Sequence, residues 1–260
     1  MIKCLITGSC GFIGSHLSRL FPHVMLYDID QNWDIFDDYL LEDKIEEADV
    51  VYHLAALTSV EKSFKNPRET YRVNVLGTAK VVELCNRFKK KLIYPSSASV
   101  YIPDSSPYAR SKKIAEDIVV SMMPKNRFTV LRLYNVFGPD MNPNSGSIMY
   151  NFLTSKKLIV YGDGEQTRDF IHVRDVVSIM KAAIDKRWES RIVDVGVGQA
   201  FSINYVAGLF AHYRKMKIEY QSPRREIKWS ISDPTMRLWL YPYPITTNLE
   251  EDIKELCLHQ

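Results

Sequence analysis

The chain has 260 residues, 46% hydrophobic and 25% charged, with a formal net charge of +3, which is ordinary for a soluble protein of one large or two small domains. No apolar run is long enough to cross a bilayer, and the one basic run, "RFKKK" at 87–91, reads as a solvated helix end rather than a nucleic-acid patch. Cys4, Cys10, Cys85 and Cys257 have neither metal spacing nor a paired framework, so the expectation is a reducing cytoplasm and no metal site.

The predicted elements alternate. "MIKCLIT" is a strand at the very start, which does not read as a signal peptide. "GSCGFIG" follows, and "SHLSRLF" continues as a helix until Pro22. "VMLY" at 24–27 is a second strand ending in Asp28. "ADVVYHLAAL" at 48–57 is a third, with the unbroken apolar run of a buried parallel strand. Residues 67–88 read as a long helix with Pro67 near its start. "KLIYPSS" is strand four, a helix beginning near Tyr108 follows it, and "FTVLRLYNVFG" holds strand five. This order predicts an α/β fold with a parallel sheet covered on both faces.

After Gly138 the rhythm changes. "PDMNPNSGS" is a loop, "IMYNFLTSKK" a short helix, and "LIVYGDGEQTRDF" a strand with a turn. "VRDVVSIMKAAIDK" is helical and "RIVDVGVG" a strand, before a mixed tail. The expected division is a Rossmann-type dinucleotide domain from 1–138 and about 171–198. A smaller substrate lobe is expected from about 139–170 and 199–260.

Gly8, Gly11 and Gly14 form a GxxGxxG pattern between a strand and a helix. Glycines there allow a tight turn, and the helix N-terminus offers N–H donors to a pyrophosphate. Asp28 ends the second strand, where a carboxylate binds ribose hydroxyls and repels a 2′-phosphate, so NAD is favoured over NADP. "YARSK" at 108–112 sets Tyr108 and Lys112 about one helical turn apart. A lysine beside a phenol lowers the tyrosine pKa. Taken alone, the pair is open between proton transfer and two surface residues.

With "TGSCGFIGSHL", "HLAAL", "SSASVY", "YARSK", "NVFGP" and "GDGEQTRDFIHVRDV" in this order, the chain resembles the extended short-chain dehydrogenase/reductases. Within them it is most similar to the NAD-dependent nucleotide-sugar epimerases and dehydratases. The resemblance implies that Gly8, Gly11, Phe12, Ile13 and Gly14 form the pyrophosphate loop. Asp34 and Ile35 would meet the adenine. Leu54, Ala55 and Ala56 would line the cofactor, with Asn74 nearby. Ser97, Tyr108 and Lys112 match the catalytic set, with Lys112 binding the nicotinamide ribose and holding the Tyr108 pKa low. Asn135 and Arg168 match residues that hold the diphosphate, and Arg224 or Arg225 a second arginine. Aligning Glu226 with a family acid places Ser230 at the sugar's C2 substituent. The family pattern also implies a homodimer through helices 67–88 and 107–122, with Val73, Leu76, Val81, Ile114 and Ile118 as compatible apolar positions.

The chain departs from the family at three places. The first helix is about a turn short, the connection from Asp28 to strand three is abbreviated, and "SASVYIPDSSPY" replaces a longer loop. Acidic residues that serve dehydration or decarboxylation stand as Ala98 and Ser99 here. "SASVY" is most similar to the 4-epimerases, and this resemblance implies 4-epimerisation of a UDP-hexose or UDP-N-acetylhexosamine through a 4-keto sugar. The alternatives are a 4-ketoreductase or dehydratase, or a nucleotide-binding scaffold. No nucleic-acid or membrane partner is expected.

Overall fold

The computed structural model describes residues 2–224 and 227–259. Its first half runs β1 (Cys4–Thr7), α1 (Phe12–Ser18), β2 (Val24–Tyr27), α2 (Asp38–Glu47), β3 (Val50–His53) and α3 (Val60–Lys65). Next come α4 (Pro67–Tyr71), a π-helical turn at Arg72–Gly77, α5 (Thr78–Arg87), β4 (Lys91–Ser97) and α6 (Pro107–Met122). The second half runs β5 (Phe128–Leu133), β6 (Asn135–Phe137), α7 (Ile148–Thr154), β7 (Leu158–Tyr161), β8 (Thr167–His172) and α8 (Val173–Ala182). It ends with β9 (Arg191–Val195), β10 (Ala200–Ser202), α9 (Ile203–Arg214), β11 (Ile218–Gln221), α10 (Thr235–Leu240) and α11 (Leu249–Leu258).

Six parallel strands form the main sheet in the order β2-β1-β3-β4-β5-β9. The order reverses at β1, between β2 on one side and β3 on the other. A crevice opens beyond the carboxyl ends of the strands at such a point, where α/β proteins bind ligands. Both faces are covered, as the unbroken apolar strands require. Leu41 and Ile45 of α2, Val81 and Val82 of α5, and Ala115 and Val119 of α6 pack on one face. Leu17 of α1 and Val176, Ile179 and Met180 of α8 pack on the other.

A single residue, Tyr134, separates β5 from β6, yet β6 leaves the main sheet and pairs with β8. The three-stranded sheet runs β10-β8-β6, and β7 pairs with β11 in a separate ribbon. "LIVYGDGEQTRDF" is thus two strands in two sheets rather than one strand with a turn. Phe152, Phe170, Phe210 and Ile253 build a third core there.

α2 is absent from the elements predicted above. Its signals were present: the Asp37 carboxylate caps the helix by accepting from the Leu40 N–H at 3.1 Å, and Leu41 and Ile45 recur one turn apart on the buried face. The basic run serves the fold. Arg87 pairs with Glu42, Lys90 donates to the Glu46 carbonyl, and Lys91 donates to the Ile184 carbonyl.

Candidate active site

A cleft of about 740 Å³ lies over the carboxyl ends of the central strands. Its first wall is the turn between β1 and α1. Gly8 has φ +71°, and a Cβ there would fall 2.6 Å from the Ala55 nitrogen. A Cβ on Gly14 would lie 2.2 Å from the Gly8 carbonyl oxygen. Only glycine fits either position, and the bare backbone between them forms the cradle that a pyrophosphate needs. Gly11, Phe12 and Ile13 complete this wall.

Asp28 follows β2 and is almost buried. One carboxylate oxygen accepts from the Cys10 N–H at 2.8 Å and the other from the Asp30 N–H at 3.0 Å. The glycine turn thereby fixes the carboxylate at the cleft edge, where it can still accept from ribose hydroxyls through its remaining lone pairs. Asp34 and Ile35 line the same end, with the Asp34 carboxylate held by the Phe36 N–H at 3.0 Å. Leu54, Ala55 and Ala56 line the floor after β3.

Asn74 stands behind that floor and is not among the lining residues. It is 1% exposed, and its side chain bridges the Leu57 backbone at 2.8 and 3.0 Å and Ser111 of α6 at 2.9 Å. Its place in the π-helical turn brings it to bear on both. Asn74 positions the cleft wall instead of lining it.

Ser97 ends β4, and Tyr108 sits in the first turn of α6. Ser106 caps that helix by accepting from the Ala109 N–H at 3.1 Å, with Pro107 next, so capping chemistry fixes where Tyr108 falls. Ser97, Tyr108 and Lys112 all line the cleft. Lys112 is 5% exposed; its ammonium donates to the Pro95 carbonyl at 2.7 Å and lies 4.3 Å from the Tyr94 ring centre.

The expected low Tyr108 pKa is corrected by this arrangement. Burial raises the phenol, opposed by the nearby Ser97 hydroxyl. Burial also pushes Lys112 down to about 7, against the pull of Glu116 one turn along. The lysine charge is spent on Pro95 and Tyr94 rather than on the phenol. Below this set, the Glu116 carboxylate accepts from Ser96 at 2.6 Å and from Arg132 at 2.5 Å. Arg132 reaches on to the Tyr101 hydroxyl at 2.9 Å.

Asn135 and Arg168 line the far end of the cleft. Asn135 donates to the Asp169 carbonyl at 3.0 Å, and Arg168 to the Thr167 carbonyl at 2.8 Å. Arg224 also lines it, with its guanidinium 4.4 Å over the Tyr161 ring. Arg225 and Glu226 lie outside the described residues. Ser230 does not line the cleft; its carbonyl accepts from the Asp169 N–H at 2.9 Å, so its segment extends along β8. The alignment that put Ser230 at the sugar is corrected accordingly. Sequence reasoning missed Trp33, Arg72, Tyr134 and the segment 145–148, all on the cleft wall. The short link from Ser97 to Tyr108 leaves Tyr101 and Ile102 exposed.

A family model described as the NAD dependent epimerase/dehydratase family matches residues 4–196. The chain belongs to that family. Among its relatives, a putative UDP-glucose 4-epimerase of Methanocaldococcus jannaschii is 29% identical over 264 aligned positions, covering 85% of this chain and 86% of that one. A UDP-N-acetyl-alpha-D-glucosaminuronate decarboxylase of Bacillus cytotoxicus is 29% identical over 250, covering 79% and 78%. Pal from Bacillus thuringiensis superposes with TM-score 0.90 at 27% identity, covering 99% of each chain. MoeE5, solved with UDP-glucuronic acid and NAD, superposes with TM-score 0.86 at 26% identity, again over 99% of each. This member of the epimerase/dehydratase family has the Rossmann-type fold, and its cofactor is NAD. The glycine cradle and Asp28 fit that dinucleotide.

Proposed function

We propose that the enzyme is an NAD-dependent 4-epimerase of UDP-hexoses or UDP-N-acetylhexosamines. The observation that carries this reading is the meeting of Ser97, Tyr108 and Lys112 in the cleft, with Ala98 and Ser99 in place of carboxylates. One proton-transfer pair suffices for oxidation and reduction at a single carbon. Dehydration or decarboxylation asks for further acid–base groups that these positions lack.

In this reading Gly8, Gly11 and Gly14 cradle the pyrophosphate, and Asp28 takes the adenosine ribose. NAD, when bound, would supply the hydride chemistry at the sugar carbon. Tyr108 receives the proton of the sugar 4-hydroxyl and later gives it back. Ser97 donates to the Tyr108 oxygen and so favours the phenolate. Lys112 faces the nicotinamide ribose. Asn135, Arg168 and Arg224 hold the diphosphate while the 4-keto sugar turns. Residues 1–138 with 171–198 hold the cofactor in this scheme, and 139–170 with 199–260 hold the sugar nucleotide.

Incubation with NAD and a panel of UDP-hexoses and UDP-N-acetylhexosamines, resolved by NMR, tests the reading. Interconversion of one C4 pair without net reduction is the expected result. Loss of water or carbon dioxide from a sugar would replace it with a dehydratase or decarboxylase.

We also propose a cytoplasmic homodimer through helices 67–88 and 107–122. Leu76 is 58% exposed and Ile114 37%, which supports an unpaired apolar face there. Val81 and Ile118 pack in the core and Val73 lines the cleft, so those three do not contribute. No helix among the described residues is long and apolar enough to cross a membrane.

A further inference from the structure

Ser63 lies in α3, the short helix that follows the cleft floor, and is 1% exposed. Its hydroxyl oxygen stands 2.6 Å from the Val60 carbonyl oxygen. A contact that short between two oxygens holds a hydrogen, and only the serine has one to give. Toward any further group the Ser63 hydroxyl is therefore an acceptor. The donor it meets is the Tyr108 backbone N–H, at 3.2 Å.

The first turn of α6 shows what this bond supplies. A helix leaves its first N–H groups without partners inside the helix. Pro107 has no N–H to satisfy. The Ala109 N–H goes to the Ser106 hydroxyl at 3.1 Å, and the Arg110 N–H to the Ser106 carbonyl at 3.0 Å. The Tyr108 N–H is left over by α6 and its own cap, and Ser63 takes it from another helix. On the other side, the Tyr108 carbonyl accepts from Ser111 at 2.8 Å. Ser111 in turn accepts from the Asn74 amide, whose orientation the Leu57 N–H and carbonyl fix. The stretch from Leu57 to Ser63 thus grips Tyr108 on both sides, directly at its N–H and through Asn74 and Ser111 at its carbonyl.

We propose that Ser63 is a positioning residue that fixes the place of Tyr108 in the cleft by accepting its backbone N–H. The inference rests on the reading of Tyr108 as the proton-transfer group. Ser63 does not line the main cleft, so its effect on chemistry there runs through Tyr108.

The test is NMR of the NAD-loaded protein carrying ¹³C-labelled tyrosine, with the Tyr108 ring resonance assigned by its loss in Tyr108→Phe. Ser63→Ala removes the acceptor. It is expected to shift the Tyr108 ring resonance and to lower sugar turnover ~3–10-fold at unchanged KM and unchanged NAD affinity. Ser63→Thr keeps the hydroxyl and is expected to keep the wild-type resonance and turnover. Ser59→Ala is the control for α3 itself. Ser59 caps that helix by accepting from the Lys62 N–H at 3.3 Å, so its loss loosens α3 while leaving the Ser63 acceptor in place. Its Tyr108 resonance and turnover should stay near wild type. An unmoved Tyr108 resonance in Ser63→Ala overturns the proposal, as does full turnover in that variant. A Ser59→Ala that moves Tyr108 as far as Ser63→Ala also overturns it, because packing of α3 would then carry the effect. The ring resonance needs no sugar, so it remains decisive even if the epimerase reading fails.

Discussion

Tyr108→Phe separates chemistry from architecture in this site. The substitution removes one hydroxyl. The Tyr108 N–H still donates to Ser63 at 3.2 Å, and its carbonyl still accepts from Ser111 at 2.8 Å. Ser97 keeps both of its contacts to Ser99. Only a cleft-lining hydroxyl is lost, so stability should change by less than ~1 kcal/mol. For a chain of this size that is ~2–4 °C in Tm. Turnover loses its proton-transfer group, typically ~10²–10⁴-fold, or ~2.7–5.4 kcal/mol of barrier. The assay is NMR of UDP-sugar interconversion beside NAD affinity by fluorescence titration. Turnover within a few-fold of wild type would refute the assigned chemistry. Loss of NAD affinity in parallel would show that the ring, not the proton, carries the effect.

Gly14→Ala should weaken NAD binding ~10–100-fold, because the new methyl meets the Gly8 carbonyl at 2.2 Å; an unchanged Kd by calorimetry contradicts the cradle. Glu116→Ala strips Arg132 and Ser96 of a buried partner and should cost ~3–5 kcal/mol, seen as a Tm lowered by ~6–20 °C. Adding Arg132→Ala should then cost less than the two single changes summed; full additivity would mean the pair is not coupled. Lys112 titrates near 7 in the folded protein and near the ordinary lysine value when unfolded, so between those values the unfolded chain holds the extra proton. Cofactor-free wild type should therefore gain stability relative to Lys112→Met as pH rises from about 7 toward 10, and parallel denaturation curves across that range would exclude the shift. Light scattering at micromolar concentration should return a dimer mass that Leu76→Glu reduces to the monomer; a monomeric wild type excludes the dimer.

Much of the cleft was legible because its signals are local. The glycine turn is written within seven residues, and Tyr108 and Lys112 are one turn apart on a helix whose start Ser106 and Pro107 announce. Asp28 was found because a strand carries it. The misses lie where position depends on something other than periodicity. Asn74 falls in a π-helical turn that the apolar pattern does not mark, and that turn brings it against Leu57 and Ser111. Ser230 belongs to a segment without regular structure, laid along β8 by bonds from the Thr167 N–H to the Lys228 carbonyl and from the Asp169 N–H to the Ser230 carbonyl. The raised Tyr108 and lowered Lys112 follow from burial, which a spacing of four residues cannot report. Residues 145–147 read as a loop and Ile148 as the start of a short helix, and nothing in that local pattern says that they line the cleft.

The late arrival of β9 has a consequence for synthesis. As the chain leaves the ribosome, β1 to β5 are complete by residue 133, but the strand that covers the edge of β5 is not made until 191–195. Until residues 173–188 follow, the face that Leu17, Ile93 and Leu131 present also lacks Val176, Met180 and Trp188, its later partners. A nascent chain of five strands would expose that apolar face and the open β5 edge together, which is the condition that invites aggregation. The segment of more than fifty residues between β5 and β9 must be synthesised before the first sheet can close. Folding of the six-stranded sheet is thereby tied to completion of the strands that form the other side of the cleft.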